Sequence, residues 1–186
     1  DVSGSEFFGT VNQFKNEILT EISATLAFSA MQNNDKVGLI LFSDQIELYI
    51  PPKKGKSHVL RIIRELLEFK PESRKTDLAG ALICDDYQQT LRITGKKHDL
   101  TGIRVYDERE ETIPNLGMVQ MEDAETGTLR LVNTQSKNVR LAYGKYNSDR
   151  VDYFQDVFTK SGCGVLNCRV DESYVKKLLG YFKRRG

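Results

Sequence analysis

Apolar residues recur every fourth position at Phe14, Ile18, Ile22 and Leu26, which predicts a helix over Gln13 to Met31 with one buried stripe. Asn33-Asn34-Asp35 ends it. The run Val37 to Phe42 (VGLILF) is short and continuously apolar, as expected of a strand covered on both faces. Ser43-Asp44-Gln45 reads as a turn and Ile46 to Ile50 as a second strand beside the first, stopped by Pro51-Pro52. A helix over His58 to Phe69 follows, with Ser57 as its N-cap and Val59, Ile62, Ile63, Leu66 and Leu67 on one face. Thr76 is placed to cap a further helix, and another covers Asp85 to Lys97. Leu100 to Tyr106 (LTGIRVY) is a buried strand. Leu116 to Met121 and Thr128 to Val132 form a hairpin. A long helical region runs from Lys137 to Lys160, weakened at Gly144 and Asn147. Val165 to Val170 is the last strand and Ser173 to Arg184 the last helix.

Short apolar strands alternating with amphipathic helices imply an α/β protein with helices on both faces of a sheet. The alternation falters once. After the helix that begins at Thr76, only Ile83-Cys84 separates Leu82 from Asp85-Asp86, where a central strand belongs. We expect a single domain over residues 1–186 that lacks its first strand and an internal segment near 82–85.

With 186 residues the chain is long enough for one domain with a real core. Lys and Arg number 27 against 26 Asp and Glu, a net charge of +1 that argues against a dedicated nucleic-acid protein. No apolar run is long enough to span a bilayer. The start without Met suggests a fragment. Cys84, Cys163 and Cys168 lack the spacing of a disulfide framework or a zinc site, and read as buried reduced thiols of a cytoplasmic protein.

Asp1-Val2-Ser3-Gly4-Ser5 places a carboxylate and two hydroxyls at alternate positions. In extended chain such residues share a face. Where a strand curls into a loop, their oxygens can converge on one hard cation such as Mg²⁺. Neutral hydroxyls cancel little of its charge, so the ion would still attract an incoming carboxylate. An Asx or Ser turn accounts for the same local pattern without a metal. In α/β sheets ligands bind beyond the carboxyl ends of strands, and residues ahead of the first helix occupy such a position.

Taken together, DVSGSEFFG, NNDKVGLILFSDQIELYIPPKKG, KTDLAGAL, KKHDLTGIRVYDEREETIPNLGMVQMEDAETG and VDESYVKKLLGYFKRR resemble a von Willebrand factor type A domain. More closely they resemble the bacterial domain of unknown function 58 family. The resemblance implies a von Willebrand factor A-like, Rossmann-like fold: a doubly wound, mostly parallel sheet with helices on both faces and an added hairpin. It also implies a metal-ion-dependent adhesion site in which Ser3, Ser5 and Thr76 bind Mg²⁺ (or Mn²⁺ or Ca²⁺) directly and Asp1 acts through water. The aspartate that a third loop contributes in that family, at the end of a strand, has no counterpart between Leu82 and Asp85. The implied function is a protein-binding adaptor rather than an enzyme. It would work with a MoxR-type AAA+ ATPase and recognise a partner's Asp or Glu carboxylate.

Two other classes compete with this. A Mg²⁺-dependent phosphatase or hydrolase could use Asp1 as nucleophile, but the position two residues on is Ser3, which has no carboxylate for acid–base work. A serine nucleophile would need His58 or His98, neither in a recognised motif. The basic, amphipathic last helix could touch membrane or nucleic acid, yet docking on the sheet demands the same amphipathicity and is the expectation here. The run Asp107 to Glu111 reads as a solvated loop, as does Lys53 to Lys56.

Overall fold

A computed structural model describes residues 12–43, 45–70, 87–122 and 127–184. The elements, in chain order, are α1 (Asn12–Gln32), β1 (Val37–Phe42), β2 (Ile46–Lys53), α2 (Lys56–Glu68), α3 (Tyr87–Lys97), β3 (Thr101–Tyr106), α4 (Glu108–Glu111), β4 (Met118–Glu122), β5 (Leu129–Asn133), α5 (Lys137–Lys160), β6 (Gly164–Arg169) and α6 (Tyr174–Lys183). The helix expected from Thr76 and the suspected gap near 82–85 lie outside the described residues.

The protein is mixed α/β; one continuous sheet was expected, whereas among the described residues the strands form three two-stranded sheets: β1 with β2, β3 with β6, and β4 with β5. Among the described strands β3 and β6 alone run parallel, in register from Thr101 opposite Gly164 to Tyr106 opposite Arg169. Helices clothe this pair on both faces. On one side Ile22 of α1 and Leu178 and Tyr181 of α6 pack with Val105, Leu166 and Cys168. On the other, Leu91 of α3 and Val157 and Phe158 of α5 gather around Cys163, with Val165 against them. Gly102 makes that approach possible: a Cβ there would lie 2.6 Å from the Phe158 ring and 2.9 Å from Phe154.

Both long helices end in the same device. Asn34, at φ 59°, follows α1, and Gly162, at φ 74°, follows α5. In each case the next amide reaches back five residues, from Asp35 to the Ala30 carbonyl at 2.9 Å and from Cys163 to the Phe158 carbonyl at 2.9 Å. This is the Schellman arrangement, which satisfies carbonyls left over at a helix end.

Four local expectations are corrected. Strand β2 runs through Pro51-Pro52 to Lys53, because the ladder shifts register between Val37 and Leu39 and asks nothing of the missing amides. Helix α2 starts at Lys56 with Gly55 as its N-cap and no side-chain cap, so Ser57 lies inside the first turn. Asp107 is no loop residue but the N-cap of α4. One face of the β1–β2 pair is buried at Leu41 and Ile50, while Ile40, Ile46 and Tyr49 stay 46%, 47% and 58% exposed, so the apolar run is covered on one face only among the described residues.

The β4–β5 hairpin packs chiefly on itself and is clamped at its root. Thr134, fully buried, accepts the Leu116 amide at 2.9 Å and donates its hydroxyl to the Gly117 carbonyl at 2.8 Å. Arg140 donates to the carbonyls of Thr134 and Gln135 at 2.6 and 2.9 Å.

Candidate functional site

The carboxyl ends of β3 and β6 point the same way, and this is where an α/β protein presents its ligand-binding loops. Helix α1 reaches that end with its first turn. Lys15, only 5% exposed, lies there with Nζ 3.3 Å from Glu110 Oε1. Glu110 Oε1 also accepts the Asp107 amide at 3.1 Å, and Asp107 Oδ1 accepts the Arg109 amide at 2.8 Å, completing a reciprocal capping box. The residue run DERE thus folds into one helical turn immediately after β3 because it satisfies its own exposed amides. Its acidic side chains suit the positive end of the turn.

Glu110 is shared between elements. It holds α1 through Lys15 and the end of β3 through Asp107. Its charge also bears on Tyr143 of α5, whose hydroxyl donates to the Arg109 carbonyl at 3.3 Å. Burial pushes the Tyr143 phenol pKa up, the Asn147 side chain opposes this, and the Glu110 charge raises it further.

Beside this node the ends of both strands carry matched charges. Arg104 Nη1 lies 3.8 Å from Glu111 Oε1, with its guanidinium 4.2 Å above the Tyr106 ring. After β6, Arg169 Nε donates to Asp171 Oδ1 at 2.5 Å and holds that carboxyl below the usual carboxylate range. Asp171 in turn raises the Arg169 pKa. Lys177 of α6 pairs with Glu172, which raises the lysine pKa against the opposing effect of burial. Lys177 Nζ also donates to the Asn167 carbonyl at 3.0 Å. The amides of Gly164 and Val170 point to β3, so Asn167, at odd spacing from them, turns its carbonyl to the outer edge of β6.

The four residues expected to gather a cation, Asp1, Ser3, Ser5 and Thr76, lie outside the described residues. Among the described residues no three His, Cys, Asp or Glu side chains are grouped to hold a metal. As chemistry, one carboxylate and three hydroxyls form a hard-oxygen set of the kind Mg²⁺ accepts. His58 is occupied elsewhere: its Nε2 lies 2.9 Å from the Val37 carbonyl, tying α2 to β1. The Lys15–Glu110 contact was missed in the sequence, although Asp107-x-x-Glu110 is a readable capping signature. No described helix is long and apolar enough to cross a membrane.

The sequence is similar to an uncharacterized protein of Mycobacterium tuberculosis, 24% identical over 213 aligned positions that take in this whole chain and 66% of that protein. The chain therefore spans about two thirds of the length of that relative. A Mycobacterium avium protein, also uncharacterized, is 25% identical over 123 positions, covering 62% of this chain and 70% of its own length. Among solved structures, the conserved hypothetical protein BatB from Bacteroides thetaiotaomicron superposes with a TM-score of 0.57 over all of this chain and 94% of its own, at 14% identity. That likeness is one of fold. A family model described as protein of unknown function DUF58 matches residues 1–83 and again 80–152, and the chain belongs to that family.

Proposed function

We propose that this chain is a metal-ion-dependent protein-binding module, an adaptor of the cytoplasm that works with a MoxR-type AAA+ ATPase and is not itself an enzyme. Asp1, Ser3, Ser5 and Thr76 would hold a Mg²⁺ ion, which supplies an open coordination position for a partner's Asp or Glu. The chain's own part is to present those oxygens at the carboxyl end of the sheet. The observation that carries the reading is the 3.3 Å contact of the buried Lys15 with the half-buried Glu110, which ties the first turn of α1 to the turn that follows β3. The D-x-S-x-S residues end at Ser5, seven positions ahead of the Asn12 that opens that turn. Ser3, where a phosphatase would need a second carboxylate, favours binding over catalysis.

The finer reading of the fold belongs with this proposal. In a von Willebrand factor A-like, doubly wound sheet, the β1–β2 and β3–β6 pairs would be two flanks of one sheet. Support comes from α1, which packs against both β1 and β3. Further support is the alignment with the Mycobacterium tuberculosis relative. Its 213 positions include all 186 residues of this chain, leaving 27 positions that this chain does not fill. Those positions fall inside the chain, and an internal segment absent near 82–85 fits that difference.

The test is capture of partners by the full chain with and without Mg²⁺, beside Ser3→Ala. Partners held only by the wild-type chain with Mg²⁺ are the expected result. The same partners in every condition would end the metal-dependent reading.

A further inference from the structure

We propose that the end of the molecule at which β1, β3 and β6 begin is a membrane-contact face, which rests on an anionic lipid surface. This goes beyond the metal-dependent reading and does not rest on it. The amino ends of β3 and β6 lie together, with the Gly164 amide donating to the Leu100 carbonyl at 2.8 Å. Helix α3 stops just before this end and brings Lys96 and Lys97 to it. Helix α6 runs down to it as well, because the Tyr181 hydroxyl lies 2.9 Å from Thr101 Oγ1, and so delivers Lys183 and Arg184. Helix α1, whose first turn sits at the carboxyl end of β3, runs back through Ile22 in the core and hands the chain to β1 through Lys36. There Val37 pairs with Lys53, and the Val37 carbonyl lies 2.9 Å from His58 Nε2, which brings Lys54 and Lys56 beside it.

All of these cations are exposed, and among the described residues none of them has an ion-pair partner. Lys160, at the end of α5, is already paired with Asp156 and is left out. The acidic residues in the same connections are Asp35 and Asp99, so a chain of net charge +1 overall is strongly basic at this end and acidic elsewhere. Helix dipoles account for Lys96, Lys97 and Lys183, which sit in last turns. The dipole opposes Lys56, which opens α2 with no acidic residue in its first turn, so helix stability does not explain the basic run there. The kind of cation selects the occupant. All but Arg184 are lysines, hydrated point charges on flexible stems that suit mobile headgroups. Nucleic-acid recognition favours the planar fork of arginine, and protein interfaces are depleted in lysine. Phe182 stands 49% exposed beside Lys183, an aromatic ring able to enter the headgroup layer. Each cation near such a surface contributes about fivefold in affinity, an attraction that falls off within a Debye length and is therefore sensitive to salt. The carboxyl ends of β3 and β6 would then face away from the bilayer.

Flotation of the full chain with phosphatidylcholine vesicles, with and without phosphatidylserine, tests this. A chelator in every sample keeps divalent cations, and with them the metal-dependent reading, out of the result. Binding is expected to the phosphatidylserine vesicles alone, weakening steeply as salt is raised. Lys53→Gln, Lys54→Gln and Lys56→Gln together should weaken it by about tenfold or more. The same loss of charge toward the opposite end, in Arg109→Gln, Lys137→Gln and Lys145→Gln, should weaken it far less. Because the substituted lysines are exposed, thermal melts should match the wild type; should the first set fail to fold, Lys96→Gln with Lys97→Gln gives the same reading. The proposal is overturned by a chain that ignores phosphatidylserine vesicles at low salt, or by one that binds a DNA duplex or polyglutamate as tightly as the vesicles. Equal losses from the two sets of variants would overturn it as well.

Discussion

Cys168 has no solvent exposure, and burial raises its thiol pKa despite the opposing charge of Lys177. A thiol whose pKa is raised in the fold favours the native state at pH values below the ordinary thiol range. That preference is lost as the pH climbs through the raised value, because the unfolded chain ionises first. Cys163 is 8% exposed, with Sγ 3.8 Å from the Leu91 carbonyl. In a Cys84→Ser background, neither thiol should react with a disulfide reagent at mildly alkaline pH until denaturant is added. Prompt labelling of the native chain would show that these sites open. Burial of both was readable, since cysteine without ligand spacing behaves as a small apolar residue. The exposure of Ile40, Ile46 and Tyr49 was not, because a run of apolar letters does not say which face finds a cover.

Elements were more legible than their ends. Repetition of apolar residues located α1, α2, α5 and α6 and every strand among the described residues, since side-chain periodicity depends on local geometry alone. Termini depended on subtler chemistry. Pro51-Pro52 failed to stop β2 because the ladder bulges there, and Asp107 nucleated α4 because Glu110 answers it. The last helix was half right: Leu178 and Tyr181 dock in the core, but Val175, Leu179 and Phe182 remain 45%, 57% and 49% exposed. The contact that binds elements together, Lys15 to Glu110, joins a helix start to a run read as solvated, and no local pattern links them. Lys15→Met should cost about 1–3 kcal/mol in chemical denaturation, because it leaves the half-buried Glu110 carboxylate without its cation while the Asp107 amide still donates to it. Adding Glu110→Gln should recover much of that loss. A Lys15→Met chain as stable as wild type would remove the contact from any supporting role.

At the scale of the whole molecule, periodicity counts strands but does not order them. An α/β class was therefore legible, while the pairing of the described strands into three small sheets was not. The β3–β6 pair has the expected parallel sense with helices on either side. The proposed cation couples to global stability by mass action. A ligand at a hundredfold excess over its dissociation constant stabilises the folded chain by about 2.7 kcal/mol. Differential scanning with Mg²⁺ should therefore raise the melting temperature of the wild-type chain, chelation should reverse the rise, and Asp1→Ala should abolish it. A melting temperature insensitive to Mg²⁺ would remove the site.

The Lys177 ammonium seated on the Asn167 carbonyl bears on what this protein avoids. A rim strand with unused amides and carbonyls is a template on which foreign strands can add without limit. Among the described strands β6 pairs with β3 alone; on its other side a tethered cation occupies one of the acceptors an added strand would need, and admitting that strand would first mean pulling the cation loose. The margin where runaway fibre growth could begin is thus blunted by a side chain from the following helix.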